Sequence, residues 1–129
     1  MSCRPEPAFV PPFLMTPFEK ALVLHLIGDW LLQNDWIARN KSDLRHSAAW
    51  LHAATHGVLL GLVFGWVGGV VLGAVHLFVD TRRPQRWWSQ TFRQTQSGDV
   101  GIHVMIWGDQ VMHIATIAAW MLIAPYLPL

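Results

Sequence analysis

Charged side chains are scarce in this chain of 129 residues: Asp, Glu, Lys and Arg make up 13% of it, about half the share usual in a soluble domain. Set beside 53% hydrophobic residues, that scarcity excludes a disordered chain and argues against an ordinary soluble globule. Neither sign of charge dominates. Nine Lys and Arg stand against eight Asp and Glu, so the basic excess of a nucleic-acid binder is missing and no nucleic-acid partner is expected. The single cysteine, Cys3, excludes an internal disulfide framework and a cysteine-rich zinc site. Tyrosine is nearly absent, with one Tyr against eight Trp, a skew that suits the interfacial places Trp takes in membrane proteins. The chain also lacks a Gly-x-Ser-x-Gly, a phosphate-binding loop and a Cys–His pair.

What is there is apolar, in four stretches at 17–33, 48–64, 67–80 and 102–126. The second and third are nearly continuous, interrupted by Gly65-Trp66 and Gly68-Gly69. A hydrocarbon core of about 30 Å needs about 20 helical residues. The fourth stretch meets that length; the other three are shorter and each holds ionisable residues. A soluble bundle would carry polar outer faces, and the run Val58-Leu59-Leu60-Gly61-Leu62-Val63-Phe64 has none. The expected fold is therefore all-α: a four-helix transmembrane bundle with short spans, filling 17–129 as a single domain. Residues 1–16, with Pro5, Pro7, Pro11 and Pro12, read as a Pro-rich lead-in without the apolar core of a signal peptide, and Met15 is an alternative start to Met1. Residues 82–96, which combine Arg, Gln and Trp87-Trp88, read as an amphipathic segment at the membrane interface between helices three and four.

Orientation follows from Lys and Arg. Arg39, Lys41 and Arg45 lie between the first two stretches, and Arg82, Arg83, Arg86 and Arg93 between the last two. The turn between the second and third stretches is uncharged, as is the C-terminal tail. The positive-inside rule puts both basic loops in the cytoplasm and both termini outside. A multi-pass protein of the bacterial inner membrane is the localisation expected.

Each stretch carries an i, i+4 pair of ionisable side chains: His25 and Asp29, His52 and His56, His76 and Asp80, Asp109 and His113. Residues four apart share one helix face. By the topology above, all four pairs fall in the cytoplasmic half of the membrane. Gly69 and Gly73 share a face with His76 and Asp80, and small residues let helices approach closely in a membrane. Carboxylates in hydrocarbon are costly unless paired or metal-bound. Three Asp, each four residues from a His, point to one or two divalent metal ions, with zinc first and manganese or iron as alternatives. Pairing of Asp with His by hydrogen bonds alone, and capping of the third helix by Asp80, are the plainer readings. Gln33 and Gln110 are placed to orient a ligating carboxylate or a substrate oxygen. His46 and His103 are expected as solvated surface groups, and Asp35 and Asp43 as turn or cap residues.

The run His25-Leu-Ile-Gly-Asp29-Trp-Leu-Leu-Gln33, followed by Asp35-Trp36 and Asn40-Lys41, resembles the opening signature of the DUF3307 family. His56, the run His76-Leu-Phe-Val-Asp80 and the run Asp109-Gln-Val-Met-His113 resemble its later blocks. The resemblance spans about residues 17–121. It implies a small integral membrane protein of bacteria or their phages, without an established activity. It adds weight to the four pairs, least to His52, and names no substrate.

The leading expectation is a metal-dependent hydrolase embedded in the membrane, acting on a lipid-like or lipid-linked substrate from the cytoplasmic leaflet. Asp29 and Asp109 are its expected catalytic carboxylates, and an ester, amide or phosphoester its target. Oxygen chemistry on a lipid is a variant, suggested by His52-x-x-x-His56 and weakened by the three Asp. A proton or metal-ion path built by a homo-oligomer, and a structural membrane subunit with a polar core, are the alternatives of other classes.

Overall fold

The computed structural model describes residues 14–128. Residues 1–13 of the Pro-rich lead-in, Cys3 among them, and Leu129 lie outside the described residues. The chain is all-helical, with no strand among them: α1 (Pro17–Leu26), α2 (Asp35–Asn40), α3 (Ser47–Asp80), α4 (Arg83–Thr91) and α5 (Gly98–Ile123). A π-helical segment, Ile27–Leu31, extends α1, and a 3-10 turn, Ala124–Tyr126, closes α5.

Local signals fix the starts. Thr16 and Glu19 exchange side-chain and backbone hydrogen bonds in a capping box, with Pro17 in the first turn of α1. Asn34 caps α2 by accepting from the Ile37 N–H at 2.9 Å. His46 caps α3: its Nδ1 accepts from the Ala48 N–H at 3.1 Å, and its ring lies 5.3 Å from that of Trp36. This corrects the expectation of a solvated His46. Asp43 accepts from the Arg45 N–H in the turn before it, as expected of a turn residue.

Helix α3 is not one rod. Gly65 has φ 77° and ψ 174°, a conformation that only glycine adopts without strain, and the chain reverses there. The two arms, 47–64 and 66–80, fold against each other along glycines. A Cβ on Gly69 would come within 2.5 Å of the Gly57 carbonyl oxygen, and one on Gly73 within 3.1 Å of the Ala53 oxygen. The close approach expected of Gly69 and Gly73 is thus present, with Gly57 and Gly61 as its other half. Four rods result: α1 with its π extension, the two arms of α3, and α5. At 1.5 Å per residue the arms measure about 27 and 22 Å.

Apolar and polar contacts are segregated along these rods. Ala21, Leu60, Leu72, Ile117 and Trp120 form the buried core at the Gly65 end, with Phe18, Val63, Phe64 and Val67 packed around them. At the opposite end the interior is histidine, aspartate, glutamine and lysine. The outside is apolar: Leu62 is 75% and Trp66 81% exposed, and Val58, Val70, Val111 and Leu122 are exposed with them. By length and composition, Ser47–Asp80 taken through its break at Gly65 and Gly98–Tyr126 are long and apolar enough to cross a membrane, with mean hydropathies of 2.3 and 1.2 over an 18-residue window. Helix α4 is inside-out by soluble standards. It buries Gln85 and Ser89 and exposes Trp87 and Trp88.

Candidate metal centre

Asp29 is the hub of the polar end. It sits in the π-helical segment, where the widened turn re-aims side chains relative to an α-helix. Its Oδ1 lies 3.1 Å from Nε2 of both His52 and His56, and 3.8 Å from Nε2 of His76. Its Oδ2 accepts from Gln110 Nε2 at 2.7 Å and stands 3.5 Å from His25 Nε2. Asp80 is the second hub. Its Oδ2 is 3.3 Å from Nε2 of His52 and of His76, and its Oδ1 is 3.3 Å from His113 Nε2. Asp109 stands at the edge, with Oδ2 at 3.9 Å from His113 Nε2 and its side chain 17% exposed.

All five imidazoles present Nε2 toward these carboxylates. Their rings pile together: His56 stacks on His76 with centroids 3.6 Å apart, and His76 on His113 at 4.0 Å. The neighbourhood depends on Gly28, where a Cβ would fall 2.6 Å from Cε1 of His56. Among the described residues three overlapping ligand sets arise, each with its ligand atoms within 4.8 Å of one another: Asp29, His52, His56 and His76; His76, Asp80 and His113; and Asp29, Asp109 and His113. His25 belongs to the cluster through Asp29 but to none of these sets.

The residues fit a divalent ion on two counts. Around a tetrahedral zinc with bonds of about 2.0–2.1 Å, neighbouring ligand atoms lie about 3.3 Å apart, and the nitrogen–oxygen separations here, from 3.1 to 3.9 Å, bracket that value. Hydrogen bonding within the cluster also leaves it incomplete: Nδ1 of His25, His56 and His113 are buried with no hydrogen bond, and Nε2 of His25 and of His76 stand near carboxylates without the alignment of one. Buried nitrogens of this kind are costly unless something else binds them.

One member was not among the expected site residues. Lys41, expected as a loop charge, is buried. Its Nζ lies 3.3 Å from Asp80 Oδ1, 3.7 Å from Asp29 Oδ1 and 3.5 Å from His52 Nε2. The cause is α2, which packs on α3 through the buried Ile37 and turns the following residue inward. Arg39, paired with Asp35 at 3.1 Å, and Arg45 remain exposed. The one available signal for Lys41 was the Asn40-Lys41 pair in the family resemblance. Asp29 and Asp80 face one Lys side chain, with Asp109 at the edge, so carboxylates outnumber the cationic side chain and a divalent cation would offset the excess.

A cleft of about 200 Å³ opens beside the cluster, lined by Asp29, Trp30, Gln33, Ala38, Lys41, Arg82, Met105, Ile106, Asp109 and Gln110. Gln110 holds Asp29 directly. Gln33 lines the cleft, and its Oε1 is buried without a partner. His103 is exposed, with Nδ1 2.8 Å from the Asp99 carbonyl oxygen.

A family model for a protein of unknown function, DUF3307, matches residues 18–127. The chain belongs to the DUF3307 family. The match contains all eight expected ligands together with Lys41, Gln33 and Gln110. No curated protein and no solved structure matches the chain.

Proposed function

We propose that this DUF3307 protein is a metal-dependent hydrolase of the bacterial inner membrane, a four-helix transmembrane bundle acting on a lipid-like or lipid-linked substrate from the cytoplasmic leaflet. The observation that carries this reading is the convergence of five imidazoles and three carboxylates from four rods on one pocket beside an open cleft. Clusters of this kind in an apolar shell are functional by default. The membrane setting is supported by the exposed apolar flanks and by the outward-facing Trp87 and Trp88 of α4. Three of the four rods are short, so the bundle suits a thin or locally thinned slab.

One or two divalent ions would be held by His52, His56, His76, His113, Asp29 and Asp80, with zinc the first choice. A cation there would polarise an ester or phosphoester oxygen and bring the ionisation of a water toward neutral pH. The chain's own groups divide the remaining work. Asp29 has both oxygens engaged by His, Gln and Lys side chains, which suits holding and orienting. Asp109 is the carboxylate at the cleft edge, placed to take a proton from a water at the site and return it to the leaving group. Gln110 fixes Asp29 from behind, and Gln33 offers an amide to a substrate oxygen across the cleft. The apolar core at the Gly65 end closes the pocket on that side. This disfavours an ion path through one chain.

A second reading has a specific observation in its favour. Lys41 already supplies a cation between Asp29 and Asp80, as a purely structural polar core would require. Elemental analysis of purified full-length protein separates the two. The hydrolase reading expects about one or more divalent ions per chain and hydrolysis of a lipid ester or phosphoester that is lost in Asp109→Asn with the metal retained. Metal-free protein, folded and stable, favours the structural reading.

A further inference from the structure

We infer that the cleft takes a phosphate-bearing lipid with a hydroxylated headgroup, and that Arg82 is the residue that selects it. The inference rests on the hydrolase reading above and narrows its substrate class. Arg82 follows Asp80 by two residues and has φ 59°, the left-handed residue at which α3 ends and α4 begins. That backbone points the half-buried side chain between two cavities. One is the cleft beside Asp109; the other, of about 470 Å³, lies between α4 and the start of α5. Arg82 and Met105 line both, so the two spaces share a wall.

Arg82 is free to bind. Its guanidinium makes one side-chain hydrogen bond, Nη1 to Met105 Sδ at 3.5 Å, and no ion pair among the described residues. Lys41, by contrast, is taken up by Asp29 and Asp80. Arg86 adds a second cation to the larger cavity. Gln85 lines that cavity too. Its Nε2 donates to the carbonyl oxygens of Met105 at 2.5 Å and Val104 at 3.3 Å, and this orients the amide. Its Oε1 is left buried with no donor.

These features sort the substrates that the metal site alone leaves open. A neutral ester or amide has no use for an unpaired guanidinium at the cleft; a phosphate diester matches its fork of donors. An orphan acceptor beside two arginines suits a neutral hydroxyl donor, because the two guanidiniums repel the ammonium of a choline or ethanolamine headgroup. The exposed Trp30 and Ile106 beside the cleft offer an apolar bed, which favours a lipid over a soluble phosphate ester.

The test uses full-length, delipidated protein in neutral detergent, offered equal amounts of phosphatidylglycerol, phosphatidylethanolamine and phosphatidylcholine, with bound lipid counted by mass spectrometry. Glycerol 3-phosphate and inorganic phosphate are offered as competitors, and metal content is measured on the same samples. Phosphatidylglycerol should be retained about tenfold over phosphatidylcholine, as expected for a charge-assisted contact. Arg82→Gly, which keeps the turn, and Arg82→Asn, which tolerates it, should abolish that preference with metal content and unfolding temperature maintained. Equal retention of the three lipids, or an unchanged preference in both variants, overturns the inference. So does displacement of the lipid by equimolar glycerol 3-phosphate or phosphate, which would make the ligand a soluble one. Lipid preference in metal-free protein overturns the hydrolase reading and leaves this assignment standing; bound metal without Arg82-dependent preference does the reverse.

Discussion

Gln110 and Asp29, 81 positions apart in the chain, meet through a hydrogen bond of 2.7 Å from Nε2 to Oδ2. It ties α5 to the π-helical segment after α1 and leaves Oδ1 to face His52 and His56. Removing the donor, as in Gln110→Leu, leaves a buried carboxylate oxygen unsatisfied. The expected loss is about 1–3 kcal/mol of stability and about 10–100-fold in metal affinity. Thermal unfolding and a metal titration read the two effects separately, and Gln110→Glu should be worse in both, since it sets one carboxylate against another.

Lys41 and a bound cation neutralise the same carboxylates, so each should matter more when the other is missing. Lys41→Met in metal-free protein leaves buried anions uncompensated, at a cost of about 3–5 kcal/mol. With metal bound the cost should shrink. Unfolding with and without a chelator, on wild type and variant, gives the coupling. Equal costs in both conditions would show that Lys41 and the metal do not share their partners.

The glycines make a graded series. Gly61→Ala meets its nearest neighbour at 3.6 Å and should be neutral or slightly stabilising, by helix propensity of up to about 1 kcal/mol. Gly69→Ala drives a Cβ into the backbone of the facing arm and should cost about 1–3 kcal/mol. Gly28→Ala strikes the His56 ring and should lower metal content more than stability, because the ring can turn away. Elemental analysis beside thermal unfolding distinguishes Gly28 from Gly69.

Much of this was legible in the sequence because two periodicities coincide. The i, i+4 pairs mark one face on each rod, and reading the Lys- and Arg-bearing connections as lying on one side puts those faces at a common level. That His25, Asp29, His52, His56, His76, Asp80, Asp109 and His113 gather in one place follows from these two facts. What was not legible depends on single-residue backbone events. The π-helical segment at Ile27–Leu31 changes the register after Asp29, so Gln33 lines the cleft without bonding to the cluster. The inward turn of Lys41 depends on how α2 docks, and no pattern in the 32–46 connection encodes that. Arg82 reads in the sequence as one of four loop arginines; its place on the wall shared by the two cavities sets it apart.

The most direct test of the account is X-ray absorption at the metal edge on full-length protein purified in detergent, with the ion identified beforehand by elemental analysis. The account predicts nitrogen and oxygen neighbours at about 2.0–2.2 Å for zinc, the outer-shell signature of several imidazoles, and a drop in imidazole count in His52→Ala or His76→Ala. Protein that is folded and free of metal, or a metal whose spectrum lacks imidazole and is unaltered by those substitutions, would contradict it.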